Sequence, residues 1–110
     1  MIYVVATFTI HPGTLEPFVE AAYAAIAATR REPGCLLYDL HASVTDPERA
    51  VLIARWESRE ALNMHMVSDH IAAFAAANRA YVASAEIEVI YPEKVETFHP
   101  AKFPPSTADR

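Results

Sequence analysis

The sequence predicts an α+β fold, a ferredoxin-like βαββαβ domain with helices on one face of an antiparallel sheet. Segments with a two-residue hydrophobic period and segments with a helical period follow one another in that order. The chain has 110 residues, 53% of them apolar, which suits one domain with its own core. The first strand is apolar on both faces, so the face without helices also needs a cover. A second copy of the chain is the simplest cover, and we expect a homodimer.

The first strand and the first helix are the most clearly patterned segments. Residues 2–10 alternate as a strand, and a His-Pro-Gly turn at 11–13 follows them. A helical stripe of apolar residues then begins, for which we expect Thr14 to be the N-cap. The Pro-Gly pair at 33–34 is expected to end this helix.

The middle of the chain predicts a β-hairpin. Residues 35–44 alternate, with Tyr38 on one face and Asp39 and His41 on the other. An Asp-Pro turn separates this strand from a third strand at residues 51–57. The short connection favours antiparallel pairing of the two strands.

The second helical region, residues 59–84, is predicted to be interrupted. Ser58 is expected to cap its start, and Ser68 with Asp69 gives a second capping signal that restarts the helix. A fourth strand at residues 86–95 completes the predicted order of elements.

We divide the chain into a domain at residues 1–97 and a Pro-rich C-terminal tail or arm at residues 98–110. Phe98 and Phe103 are apolar residues in this arm that could anchor it on the partner subunit of the expected dimer.

Composition excludes several classes of function. The formal net charge is −5 and the basic residues are scattered, which argues against a nucleic-acid-binding surface. The single cysteine, Cys35, allows neither an internal disulfide nor a multi-cysteine metal site. No leader segment and no apolar run of membrane-spanning length is recognisable, so we expect a cytoplasmic protein without a membrane partner.

Several short motifs stand in a distinctive order along the domain. They are Glu32-Pro33-Gly34-Cys35 with Tyr38, then Arg55-Trp56-Glu57-Ser58, Glu60-Ala61-Leu62, His65, Ser68, His70 and Phe74. In this order they resemble the antibiotic biosynthesis monooxygenase (ABM) family, especially its small quinol-monooxygenase-like members. The resemblance covers roughly residues 1–95. It implies a dimeric α+β barrel in which the two sheets meet, with a pocket between sheet and helices in each subunit.

The resemblance also implies a reaction. Active members typically oxidise an aromatic phenol, quinol or anthrone with O₂, without flavin, haem or metal. A base removes a proton, the electron-rich carbanion reacts with O₂, and the peroxide collapses to a quinone. The protein must then supply a proton acceptor, a dry apolar pocket and donors for the anion. We therefore expect O₂ and a small aromatic or quinone-like molecule as partners, and no cofactor.

His65, His70 and Tyr38 are the candidate catalytic residues. Imidazole titrates near neutral pH, and a tyrosine hydroxyl can donate to an oxyanion. We expect His70, beside the helix restart, to be the base and His65 to orient the substrate. The alternative is that both histidines only form hydrogen bonds across the helix junction. No metal site is predicted, because helical histidine pairs for metals stand four residues apart and no third ligand is evident.

Trp56, Phe74 and Met66 are the candidate substrate-binding residues. The Trp56 indole can stack on an aromatic ring, and methionine adapts to irregular pockets. The alternative is that these three side chains only fill the core.

Three other functions stay open at this stage. The same histidines could shuttle a proton in an isomerase of a small metabolite, or the pocket could belong to a non-catalytic small-molecule-binding dimer. Haem degradation is less favoured, because haem-degrading relatives are expected to have an Asn on the first strand, which here offers Thr7 and Thr9.

Overall fold

A computed structural model describes residues 1–101. Its elements are β1 (Ile2–Ile10), α1 (Leu15–Arg30), β2 (Cys35–Ala42), β3 (Arg49–Trp56), α2 (Arg59–Met66), α3 (Asp69–Asn78) and β4 (Val82–Ile90). The four strands form one antiparallel sheet in the order β2-β3-β1-β4. This confirms the predicted ferredoxin-like βαββαβ arrangement. None of the helices within residues 1–101 is long and apolar enough to cross a membrane.

One face of the sheet is covered by the helices and carries the core. Its central row runs through Tyr38, Ala54, Val4 and Val89, one residue from each strand. The small Ala54 side chain in this row leaves room above the sheet. Trp56, at the end of β3, is fully buried on the same face.

A second group of buried residues lies beneath α1. Ile10, Phe18 and Ala50 have almost no exposed surface. The Phe18 ring packs against Phe8 of the sheet and Phe74 of α3, with ring centroids 5.4 Å and 6.1 Å apart. This packing joins α1 to α3 and fixes both helices above the sheet.

The opposite face of the sheet is not covered by any element of residues 1–101. Its central row runs through Asp39, Ile53, Val5 and Glu88. The two inner strands therefore place aliphatic side chains at the centre of this face, and the edge strands place charges at its margins. We call this surface the open face.

Two of the three predicted helix caps are confirmed. The Ser58 hydroxyl accepts a hydrogen bond from the Ala61 backbone N–H, and the Ser68 hydroxyl accepts one from Ile71. The prediction for Thr14 is wrong in its chemistry, because its hydroxyl makes no capping bond to α1 and instead donates to the His11 carbonyl oxygen at 2.8 Å.

The predicted boundary between the last helix and the last strand is wrong. The helix ends at Asn78, and β4 begins at Val82, four residues before the predicted start. Alanines favour continuing the helix, but pairing with β1 from Ile10↔Val82 to Tyr3↔Ile90 satisfies the backbone groups of the whole segment. Tertiary pairing therefore overrides local propensity here.

The tail follows β4 without regular secondary structure. Residues 91–95, predicted as strand, lie outside β4. Of the predicted arm, residues 98–101 are exposed, including the Phe98 side chain. Phe103 and the remainder of the arm lie outside the described residues.

Candidate active site

The helix-covered face contains an apolar cavity of about 460 Å³. It lies between the sheet and the helices α2 and α3, and it extends to the exposed Ile87 side chain on β4. The lining includes five of the six predicted site residues, namely Tyr38, Trp56, His65, Met66 and Phe74. His70 does not line this cavity.

Three rings surround the polar end of the cavity. The centroid of the His65 ring lies 4.7 Å from that of Trp56 and 5.2 Å from that of Tyr38. His65 retains only 7% of its surface exposed. The last turn of α2 thus holds an imidazole against two aromatic side chains of the sheet.

Glu32 connects the two histidines. Its Oε1 atom lies 3.1 Å from His65 Nδ1 and also pairs with His70 Nε2. Since a carboxylate oxygen only accepts hydrogen bonds, the nitrogen facing it on each ring carries the proton. In neutral His65 the other nitrogen, Nε2, then has a free lone pair, and it has no hydrogen-bond partner within residues 1–101.

The break between α2 and α3 places both histidines near Glu32. Ser68 caps α3, and its hydroxyl donates to the His65 carbonyl oxygen at 2.7 Å. The Ser68 Oγ atom also lies 3.2 Å from His70 Nε2. On a continuous helix these two histidines would point about 140° apart, so the break predicted from the sequence brings them together.

Gly34 brings Glu32 to the histidines from the other side. Its φ of 84° is a left-handed conformation that glycine adopts at little cost. The Gly34 carbonyl accepts a hydrogen bond from the Glu57 backbone N–H at 2.8 Å. A Cβ atom at Gly34 would lie 2.6 Å from the Cβ of Ala61. The turn therefore packs directly on the first turn of α2.

Burial sets the protonation states in the site. It lowers the pKa of His65, while the hydrogen bond and negative charge of Glu32 act in the opposite direction and the charge of His70 adds to the lowering. Burial raises the pKa of Tyr38 to about 12, with a smaller opposing effect from the Thr29 hydroxyl. At neutral pH, Tyr38 is therefore a hydrogen-bond donor and His65 is a neutral base.

His70 faces a second cavity on the other side of α2. This cavity of about 630 Å³ is lined by Glu32 and His70 together with acidic residues of the α2 and α3 starts. The exposed fraction of the side chain rises from 9% at His65 to 15% at Glu32 and 27% at His70. His65 is therefore the histidine that lines the apolar cavity, and His70 is the histidine that lines the second cavity.

The three side chains also constitute a potential metal-ligand set. One ligand atom from each of Glu32, His65 and His70 lies within 4.8 Å of the others. Two imidazoles and a carboxylate suit several divalent transition metals. The sequence shows no third ligand beside the two histidines, whereas the folded chain brings Glu32 to both of them. In the structure both imidazoles are hydrogen-bonded to the Glu32 carboxylate.

Glu32 is the residue of the candidate site that the sequence does not single out. It belongs to the motif Glu32-Pro33-Gly34-Cys35. Its position before a Pro-Gly turn is the only signal in the sequence, because the partners His65 and His70 lie 33 and 38 residues away.

One family model and several solved structures match this chain. A family model described as "Antibiotic biosynthesis monooxygenase" matches residues 1–77. PA3566 from Pseudomonas aeruginosa is 31% identical, with 84% of this chain and 94% of that chain aligned at a TM-score of 0.78. Rv0793 from Mycobacterium tuberculosis is 29% identical over 87% and 98% of the two chains, with a TM-score of 0.79. A structure named antibiotic biosynthesis monooxygenase is 26% identical over 86% and 100%, also with a TM-score of 0.79. No curated protein gives a significant match.

Proposed function

The chain belongs to the antibiotic biosynthesis monooxygenase family, and from this premise we propose that it oxidises a phenol, quinol or anthrone with O₂ and without a cofactor. The observation that carries the proposal is the His65 imidazole. It is buried at an apolar cavity, its Nδ1 faces the Glu32 carboxylate, and its Nε2 has no partner within residues 1–101. These are the properties of a general base.

The reaction balances without a further reactant. For an anthrone, His65 Nε2 takes a proton from the methylene carbon, and the resulting carbanion forms a C–O bond with O₂. The peroxide anion takes that proton back. Loss of the second C–H proton then breaks the O–O bond and gives a ketone, while the departing hydroxide takes up the proton to form water. One O₂ therefore yields one quinone oxygen and one water.

The surrounding residues support the base. The Glu32 carboxylate fixes the His65 tautomer and stabilises the imidazolium, as the aspartate carboxylate does for the histidine of a Ser-His-Asp triad. The Tyr38 hydroxyl, kept neutral by burial, can donate to a developing oxyanion. Trp56 offers a ring face beside His65, and Phe74 and Met66 add apolar surface that excludes water from the carbanion.

The cavity lining favours an aromatic substrate over the two enzyme alternatives. An isomerase of a sugar-like metabolite needs several groups that bind hydroxyls, whereas the lining is mostly aliphatic and aromatic. Haem degradation is disfavoured because β1 has no Asn, which haem-degrading relatives are expected to have there. Thr7 does not replace it, because it pairs with Val51 and Glu86 on the face of the sheet opposite the cavity.

We also propose that the protein is a homodimer whose subunits meet through their open faces. Val5 and Ile53 lie half-buried at the centre of this face without any covering element from residues 1–101. A permanent interface of this kind buries roughly 2,000 Å² or more in total. Sedimentation at micromolar concentration is expected to show a dimer, and a monomer would contradict this proposal.

O₂ uptake with a panel of dihydroxyaromatics and anthrones tests the oxidation. We expect His65→Gln to lower turnover about 10²–10⁴-fold, the usual contribution of a general base. His11→Gln is the matched control, because His11 is an exposed histidine that lines neither cavity. Melting temperatures identify any loss of folded protein. If the wild type consumes no O₂ with any compound, or His65→Gln turns over as fast as the control, the proposal is wrong.

A further inference from the structure

The side chains of Glu32, His65 and His70 direct three metal-ligand atoms at one point. One atom from each residue lies within 4.8 Å of the other two, and the nitrogen facing Glu32 is Nδ1 in His65 and Nε2 in His70. The 3.1 Å from Glu32 Oε1 to His65 Nδ1 is close to the roughly 3.3 Å that separates neighbouring ligands of a tetrahedral Zn²⁺ with bonds of about 2.0–2.1 Å. Small outward movements of the three groups therefore admit such an ion.

The three ligands are held in place by the fold around them. The Gly34 turn that follows Glu32 packs on Ala61 in the first turn of α2. Ser68 caps α3 and donates to the His65 carbonyl oxygen at 2.7 Å, which fixes the break between the two histidines. A ligand set that is positioned before the ion arrives loses little conformational freedom on binding, and this favours affinity.

The second cavity gives a cation access to the three ligands. Glu32 and His70 line this cavity, and its lining contains no Lys or Arg. Three further carboxylates of the lining, from Glu57, Glu60 and Asp69, belong to exposed residues. A cleft whose charges have one sign raises the local concentration of ions of the opposite sign. A divalent cation is therefore attracted to the side of the site where His70 lies.

We propose that Glu32, His65 and His70 bind one Zn²⁺ ion and that the bound ion prevents His65 from acting as a base. A neutral imidazole has one ring proton, and a metal binds the nitrogen that lacks it. With Zn²⁺ on His65 Nδ1, the ring proton lies on Nε2, the atom that must accept a proton from the substrate. Both rings exchange tautomers, and neither changes its charge.

The ion is therefore an inhibitor of the proposed oxidation and not its cofactor. The inhibition rests on the proposed function, whereas the binding of the metal does not. Three protein ligands leave the fourth position of a tetrahedral ion to water, as in zinc sites with an open position.

Calorimetric titration with ZnCl₂ at neutral pH and ¹⁵N NMR of the histidine rings test the site. We expect one Zn²⁺ per chain, with the His65 ring proton moving from Nδ1 to Nε2 on binding. Glu32→Gln and His70→Gln should each weaken Zn²⁺ binding by at least about 10–100-fold, the effect of losing even an outer-shell partner of a metal ligand. Mg²⁺ should not compete, because it prefers oxygen ligands.

Two variants are matched controls for these losses. Glu57→Gln removes a carboxylate of the same cavity that bonds to neither histidine, and His11→Gln removes an exposed histidine that lines neither cavity. Both should retain the stoichiometry and nearly the affinity of the wild type. Saturation of the wild type with Zn²⁺ should abolish O₂ uptake, and EDTA should restore it.

Three results of the binding experiments would overturn the inference: no Zn²⁺ binding by the wild type, binding that survives both Glu32→Gln and His70→Gln, or a His65 ring that keeps its proton on Nδ1 when the ion is bound. Undiminished O₂ uptake by the Zn²⁺-saturated protein would overturn the inhibition. Binding with the expected change of tautomer, combined with no O₂ uptake by the metal-free protein, would uphold the zinc site and contradict the proposed oxidation instead.

Discussion

Two turns of this chain look alike in sequence and differ completely in their surroundings. The first turn, at residues 11–13, reads His-Pro-Gly, and the second, at residues 32–34, reads Glu-Pro-Gly. Both glycines have a positive φ, 75° at Gly13 and 84° at Gly34. Each turn joins a helix to a strand, so local conformation does not distinguish them.

Their neighbours do distinguish them. A Cβ atom at Gly13 would meet nothing within 4 Å, whereas one at Gly34 would meet Ala61 of α2. The first turn makes a structural bond, from the His11 backbone N–H to the Tyr81 carbonyl at 2.8 Å. The second turn holds the Glu32 carboxylate against two histidines. The packing of α2 thus turns one of two similar turns into part of a site.

The largest expected effect is on stability and compares the two glycines. Gly34→Ala places a side chain at a left-handed φ and into the Cβ of Ala61, which should lower the free energy of unfolding by roughly 2–5 kcal/mol. Gly13→Ala has the φ penalty alone, about 1–2 kcal/mol. Urea unfolding measures both. Equal losses for the two variants would show that the close packing on α2 is not a constraint.

The second prediction concerns the residue before each proline. Glu32→Gln removes the charge that stabilises the His65 imidazolium, and we expect turnover to fall roughly 10–100-fold, the value of about one charged hydrogen bond. Because Glu32 raises the pKa of His65, its loss should also move the acid limb of the kcat/KM profile to lower pH. His11→Gln should change neither quantity.

Glu57→Gln provides a second control for this comparison. Glu57 is exposed and lines the same second cavity as Glu32, yet it makes no hydrogen bond to either histidine. If Glu57→Gln lowers turnover as much as Glu32→Gln does, the negative charge around the second cavity, and not the contact with His65, is responsible.

The smallest effect is the pH dependence of stability contributed by His65. Burial among Trp56 and Tyr38 lowers the pKa of His65 in the folded state below the unfolded value of about 6.5. The hydrogen bond and charge of Glu32 raise this pKa, and the charge of His70 lowers it further. The unfolded chain therefore binds a proton first as the pH falls. The free energy of unfolding should decrease from about pH 6.5 to the folded pKa and then level off.

His65→Gln removes this contribution, so the difference in unfolding free energy between the wild type and this variant should become less favourable to the wild type below about pH 6.5. Urea titrations at a series of pH values measure it. A difference that grows in favour of the wild type at low pH would mean that Glu32 outweighs burial, and that the imidazole in the folded protein is charged.

Much of the fold was predictable from local patterns. The two-residue alternation of β1 and the helical stripe of α1 each need only neighbouring residues to be recognised. The serine caps at Ser58 and Ser68 were predictable for the same reason, since a hydroxyl reaches the backbone N–H three residues ahead. The end of α3 was not, because pairing of Val82 with Ile10 on a distant strand decided it.

The sequence by itself determined the order of the elements, the break that sets His65 and His70 side by side, and the family. These properties depend on short-range sterics, hydrogen bonding and hydrophobic period, all of which are present in contiguous residues. Only the tertiary structure decided that Glu32 joins the two histidines and that His65 and not His70 lines the apolar cavity. The physical reason is that burial and charge pairing depend on which distant segments pack together, and neither a turn nor a histidine carries a local mark of its eventual neighbours.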